Sequence, residues 1–251
     1  MTTVEPWRSG LALIVLLGIG LAVLTLARVH VRRDAIVATV RASVQLTLVA
    51  LVIAWVFAHP EGVVLYLALM LMAATATSVR RIGCGLRRAP VITVAIAAGA
   101  ASAVIPVLAS GALELHAQTI VPFAAQIIGG SMMAASLTGS RMRDDVATHW
   151  GEVEAWLSLG GTPRMAVMDF SRRAVSRALI PALDQTRSAG LVTLPGAFVG
   201  LLLGGASPAE AAQVQLLVLV GLLAAEAVAA VVTSLLLSGW LASSRPLPLA
   251  G

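Results

Sequence analysis

The chain has 251 residues, of which 59% are hydrophobic and 12% charged, with a formal net charge of +5. A soluble domain is about half apolar and a quarter charged, so this chain has too little polar surface to face water on every side, and the excess faces lipid. All 17 basic residues are Arg and no Lys is present, which excludes a Walker A loop, and so ATP hydrolysis by this chain, and also a retinal-type Schiff base.

A spanning helix needs about 20 mostly apolar residues. The first such run is Gly10–Ala27. It is too long for the h-region of a signal peptide, and its basic cluster follows it instead of preceding it. Arg28, Arg32, Arg33 and Arg41 lead into the second run, Arg41–Ala58, which carries Gln45. The third run, Gly62–Ser78, holds Met70 and Met72 and ends at Arg80 and Arg81. The lone cysteine, Cys84, follows, so no disulfide forms within the chain. After Arg87 and Arg88 comes the fourth run, Pro90–Ser110, and after it the fifth, Thr119–Gly139, with Gln126, Met132 and Met133. A polar stretch at about 140–188 carries seven arginines, Arg141, Arg143, Arg164, Arg172, Arg173, Arg177 and Arg187. The sixth run, Ala189–Gly205, is interrupted by Leu194-Pro195-Gly196, and the seventh, Ala209–Trp240, carries Gln215 and Glu226.

The loops alternate in charge. His59–Glu61, Gly111–Gln118 and Ala206–Pro208 carry no Arg, while the loops between them are Arg-rich and Arg245 follows the last run. Only Arg8, offset by Glu5, stands on the Arg-poor side. Arg-rich loops stay cytoplasmic. The expectation is an all-α, polytopic membrane helical bundle of about seven transmembrane helices, N-terminus outside and C-terminus cytoplasmic. Residues 1–251 form one domain without visible boundary or repeat, and the short terminal tail is expected to be disordered. The pattern of Arg between apolar runs points to a bilayer and not to nucleic acid.

The 140–188 stretch holds a helix-turn-helix pattern. Val146, Trp150, Val153 and Leu157 recur at helical spacing, opposite the acidic Asp144, Asp145, Glu152 and Glu154. Gly160 and Gly161 end the helix, Thr162 caps a second one, and Pro163 takes its first position. That second helix is expected to run from Pro163 towards Ile180. A helix lying on lipid is usually basic on its polar face; an acidic, capped helix suits a protein partner. Permeases of ABC importers present such a unit to their ATPase, with a signature of E-A-A, three residues, then G. Glu154-Ala155-Trp156 and Gly160 match that front half, with Trp at the second Ala. The downstream I-x-L-P is not matched, since Arg172-Arg173 stand where L-P would.

From about Arg41 to Leu237 the chain resembles the FetB-type family of ABC permeases, which includes iron exporters and plant aluminium-tolerance relatives. The resemblance rests on R-x-x-V-Q-L at Arg41–Leu46, P-x-x-x-x-I-x-G at Pro122–Gly129, G-E-V-E-A-x-L-x-L-G-x-T-P at Gly151–Pro163, G-L-V-x-L-P-G at Gly190–Gly196 and G-x-S-P-x-E-A-A at Gly205–Ala212. It implies the permease subunit of a transporter in a bacterial inner membrane, exporting a metal ion such as iron. It also implies a homodimer of permeases and a separate ATPase chain that uses the ATP, with no cofactor on this chain. The implied coupling residues are Glu152, Glu154, Ala155, Trp156, Gly160, Gly161, Thr162 and Pro163. Two departures stand out. Gly130 and Met133 occupy positions where the family pattern has Asn, and Thr77-Ser78 stand where it has an acidic residue.

Polar groups within the runs are candidates for the translocation path, namely Gln45, Gln126, Pro195 and Glu226. A mid-bilayer carboxylate usually faces a bundle interior or a water path, and a proline break often lines a cavity. Each also has a purely structural explanation, as interhelical glue for Gln45, Gln126 and Gln215 and as a tolerated kink for Pro195. Met70, Met72, Met132 and Met133 read as apolar filler. His30, His59, His116 and His149 show no metal-ligand spacing, and no metal-binding set is assigned. A stand-alone secondary carrier using Glu226 for proton or cation coupling is the alternative. An intramembrane serine enzyme at Gly130-Ser131 lacks a His within the runs to activate it.

Overall fold

The computed structural model describes residues 6–29 and 31–243. The expectations for Glu5, His30, Arg245 and the terminal tail lie outside the described residues. The chain divides into two compact units, Met1–His59 and Pro60–Gly251.

The first unit contains α1 (Pro6–Leu26) and α2 (Arg32–Ala58). Arg28 turns the chain between them in the left-handed region, at φ 55°. Nearly all of α2 is exposed, including Gln45, and Val56 is its one buried residue. Thr39, Ser43 and Thr47 return their hydroxyls to the carbonyls four residues back, at 2.8, 3.0 and 3.0 Å, which hides polar atoms on an apolar helix.

The second unit holds α3 (Val63–Ile82), α4 (Ala89–Ala109), α5 (Ala117–Thr148), α6 (Trp150–Ser158), α7 (Pro163–Ala166), α8 (Met168–Ala178), α9 (Ile180–Ser188), α10 (Gly196–Leu203) and α11 (Pro208–Leu241). Five helical segments are long and apolar enough to cross a membrane: Arg32–Ala58, Pro60–Ile82, Leu86–Ala109, Ala117–Thr148 and Pro208–Leu241, with Gly10–Leu26 a shorter apolar helix. This is a helical, multi-pass membrane protein.

Small residues bring α4, α5 and α11 together. A methyl group placed on Gly99 would stand 2.6 Å from the Ala225 carbonyl and 2.8 Å from both Ala229 Cβ and Ser131 Oγ. Lipid gives helices no hydrophobic reason to associate, so close backbone approach supplies the attraction instead. Gly221 of α11 lies beside Phe123 and Ile127 of α5, and Gly130 lies beside Leu222 and Glu226. The two helices are therefore parallel. α3 runs the same way, with Ile82 against Gly139 and Ser78 bonded to Ser136 at 2.9 Å. α4 is antiparallel to all three, since Thr75 meets Thr93 and Ala103 meets Gly221.

Arg88 and Arg143 lie at the end of this unit where α3 and α5 finish and α4 begins. Arg143 donates to the carbonyls of Ile82 and Gly83 at 2.7 and 2.8 Å, and Arg88 covers the Trp240 ring at 4.5 Å. Because α5 and α11 are parallel, the chain must return between them, and here the structure corrects the sequence. The sixth run, Ala189–Gly205, is not one helix. Its helical part is α10, eight residues or about 12 Å, preceded by a turn in which Gly190 adopts φ +83° and bonds Thr193. The return starts earlier, in α8. Val175 and Leu179 pack on Ala134, Ala229 and Ala230, while Ala189, Gly190 and Leu194 line a cavity with Gln215, Leu216 and Leu219. The single helix expected from Pro163 to Ile180 is likewise divided, at Val167, and α9 begins at Ile180. A run of short helices, α8–α9–α10, thus climbs beside α11.

Candidate functional site

At the basic end, α6 and α7 form a projecting unit. Val146 and Val153 are fully buried, with Trp150 and Leu157 packed beside them, so the spacing read in the sequence is the inner face. Leu159 ends α6, Gly160 takes φ +84°, and its N–H bonds Leu157 O while that of Gly161 bonds Trp156 O. These two bonds are a Schellman stop. A Cβ on Gly161 would meet the Trp156 carbonyl at 2.7 Å. The Thr162 hydroxyl accepts from Met165 N at 3.3 Å, with Pro163 at the first position. Ala166, Val167 and Phe170 then fix the unit to the core, and His149 stacks on Phe170.

The outer face differs in kind. Trp156 and Met165 are each 50% exposed, and Leu159 is 84% exposed. Glu152, Glu154, Ala155 and Arg164 are exposed on the same unit. Exposed apolar side chains with charges around them mark a surface that binds a protein or a membrane.

Within the bundle, Glu226 is buried. Its carboxylate occupies space that only glycine leaves, since a Cβ on Gly130 would fall 2.8 Å from Oε1. The first departure from the family pattern thus has a physical counterpart, with Gly130 accommodating a carboxylate. At the second, Ser78 spends its hydroxyl on Ser136 and on the Met132 carbonyl, and Thr77 returns its own to Ala73 O. Met133 is exposed, and its sulfur accepts from Arg81 at 3.7 Å. The hydroxyls of Ser131, Thr138 and Thr233 are buried with no partner.

The depth of Glu226 follows from length alone. α11 has 34 residues, about 51 Å, while the hydrocarbon core takes about 20 residues. Such a window can sit anywhere from 208–227 to 222–241 and always contains 222–227. Any window of about 20 residues that lies wholly within α11 therefore includes Glu226.

Of the other path candidates, Gln126 is exposed on α5 and Gln45 is exposed on α2 of the first unit. Pro195 is the N-cap of α10 and borders a cavity of about 380 Å³ with Phe198, Ala212 and Gln215. That cavity includes neither Gln126 nor Glu226 among its lining. Gln215 anchors the break, its Oε1 accepting from Phe198 N at 3.2 Å while Nε2 is left unpartnered. Sequence reasoning missed this pairing, because nothing in a hydropathy profile links residues 198 and 215. It also counted Arg187 with the loop arginines and passed over Asp184. The two form an exposed ion pair on α9 at 3.7 Å. Among the described residues, no group of three or more His, Cys, Asp or Glu converges as metal ligands would.

Residues 7–240 match the family described as "Uncharacterised protein family (UPF0014)". The UPF0014 membrane protein YjkA of Bacillus subtilis (strain 168) is 33% identical over 214 residues, 82% of this chain and 83% of that protein. The UPF0014 membrane protein STAR2 of Oryza sativa subsp. japonica is 32% identical over 211 residues, 83% of this chain and 74% of that protein. The probable iron export permease protein FetB of Escherichia coli (strain K12) is 28% identical over 193 residues, 76% of this chain and 74% of that protein. No solved structure matches the chain. With a match that runs through all the long helices and relatives sharing a third of its residues, the chain belongs to the UPF0014 family of membrane proteins, to which the FetB-type permeases also belong.

Proposed function

We propose that this chain is the permease subunit of an ABC transporter, acting as a homodimer in a bacterial inner membrane and driven by a separate ATPase chain. The observation that carries this reading is the rigid α6–α7 unit, which holds Trp156 outward on an acidic rim at the Arg-rich, cytoplasmic end of a membrane bundle. Glu152, Glu154, Ala155 and Trp156 form the docking face. Gly160, Gly161, Thr162 and Pro163 set the angle between the two helices. The likeness to FetB supports a metal ion such as iron as substrate, moved outward. In this reading residues 1–251 act as one permease domain with seven crossings, N-terminus outside, and Gln45, Gln126, Pro195 and Glu226 contribute to the path.

A half-exposed Trp gains most of its binding energy on docking, and such anchors often contribute about 2 kcal/mol or more. Trp156→Ala should release the ATPase in a pull-down while leaving membrane insertion intact, because the side chain packs little within this chain. Equal recovery of the ATPase by both proteins, with equal transport, removes the docking assignment.

A secondary carrier is the second reading, favoured by one observation: Glu226 is a buried carboxyl within the long apolar helix α11. Glu226→Gln keeps the shape and removes the charge. Transport lost at normal expression places Glu226 in the path, and transport retained leaves it a structural group.

A further inference from the structure

We propose that α9 lines the water-filled path through which a charged, hydrated solute crosses the membrane, with Asp184, Gln185 and Arg187 facing that path. The proposal rests on the transporter reading above and identifies path-lining residues beyond those already named.

The start of α9 follows Leu179, which packs against Ala229 and Ala230 of α11. Its end precedes Ala189 and Gly190, which share a cavity with Gln215 and Leu219. The nine residues of α9 therefore lie beside 219–230 of α11, a stretch that contains 222–227, the segment common to every window of about 20 residues within α11.

Ala182 is buried and holds the inner face of α9 to the bundle. The outer face carries Asp184 and Arg187, whose side chains are 64% and 76% exposed although paired, and Gln185 is exposed beside them. On α11, the exposed positions at comparable depth are Leu216, Val220, Ala224 and Val231, all apolar. One depth thus presents two surfaces of opposite character. The α11 surface suits acyl chains. Lipid solvates neither a carboxylate nor a guanidinium, and ionisable groups at this depth face a bundle interior or a water-filled cavity. The exposure of the pair excludes the bundle interior of this chain, leaving a water-filled space that, in the proposed homodimer, the second protomer can help enclose. A path offering both signs of charge receives an ion that keeps part of its hydration shell, with Asp184 able to face a cation and Arg187 an anion.

Thiol accessibility tests this on the full-length protein. Cys84 is the one cysteine and is buried, so Cys84→Ser gives the background. Single cysteines replace Asp184, Gln185 or Val220, and each protein is treated in membrane vesicles with a charged, membrane-impermeant methanethiosulfonate. The thiolate is the reacting form and requires water, so positions 184 and 185 should react at least about tenfold faster than 220. A permeant maleimide confirms that all thiols are present. Reaction at 184 and 185 as slow as at 220 overturns the proposal, because both surfaces would then face lipid. Reaction at 220 as fast as at 184 also overturns it, because the depth would then be wrong. Gln185→Cys keeps both charges and decides the matter if Asp184→Cys fails to fold. The labelling needs no ATPase, so fast labelling at 184 with no ATPase recovered in the pull-down upholds the path and removes the ABC reading.

Discussion

Gly99 and Gly129 sit in neighbouring helices of similar composition, yet they meet different surroundings. A methyl group on Gly99 runs into the Ala225 carbonyl at 2.6 Å, and backbone does not yield as a side chain does; at Gly129 there is nothing within 4 Å. Overpacking of this kind costs about 1–3 kcal/mol, so Gly99→Ala should lower the melting temperature in detergent by several degrees and Gly129→Ala should leave it unchanged. Gly130→Ala is a different experiment, since the atoms it meets are side-chain ends, Leu222 Cδ2 and Glu226 Oε1. These can move, so transport should suffer more than stability. Cys84 offers a pH test outside the spans. Burial pushes its thiol up, against the weaker pull of Arg88 and Arg143. Its reaction with a thiol reagent in the native protein should therefore be slow at neutral pH and rise only on alkalinisation, whereas the unfolded protein reacts at neutral pH. Glu226 was legible in the sequence because a carboxylate interrupts an apolar run. The role of Gly130 was not, because the fit depends on how two helices 96 residues apart are aligned, which no local pattern encodes.

At the scale of elements, the α6–α7 turn was legible to the residue. Each of its signals is local: an αL glycine after the last apolar position, a hydroxyl cap, then proline. The G-x-S-P-x-E-A-A motif has the same character. Ser207 accepts from Glu210 N, and the Glu210 carboxylate receives the Ser207 N–H at 2.9 Å, a capping box that starts α11. The break in the sixth apolar run was not legible, since a hydropathy window averages over breaks and the chain beside α11 begins with α8 and α9, which are polar on one side. What holds the break is Gln215. Gln215→Leu keeps the volume but strands the Phe198 N–H in an apolar layer, a loss of about 1–3 kcal/mol. The expected result is faster hydrogen exchange across Gly196–Leu203, with α5 unaffected; unchanged exchange would show that water already serves that N–H.

For the whole molecule, the directions of α3, α4, α5 and α11 follow the order the Arg distribution requires, with three helices one way and one the other. Reporter fusions after Arg33, Arg88 and Gly161 should read as cytoplasmic and one after His116 as external; any reversal sinks the topology. The alternating directions of these four helices were more legible than the number of segments, because charge marks the ends of segments while hydropathy must recognise their interiors. If α8–α10 is the sixth crossing, as the proposed function has it, the break also bears on how the protein is made. An insertion machinery that weighs each segment as it emerges meets α8–α10 with Asp169, Arg172, Arg173, Arg177, Asp184 and Arg187 in it, and each such charge that lies near mid-membrane adds about 2.5–3.5 kcal/mol against insertion. Alone, that segment should slip back. The 34 residues of α11 follow after a loop of four residues, Gly204–Ser207, and their apolar length can carry the pair in together as a hairpin. A chain stopped at Gly205 should then leave its last segment unglycosylated and protease-accessible on the cytoplasmic side, and extension to Leu241 should rescue it. Biogenesis would make α11 the chaperone of the very segment that transport uses.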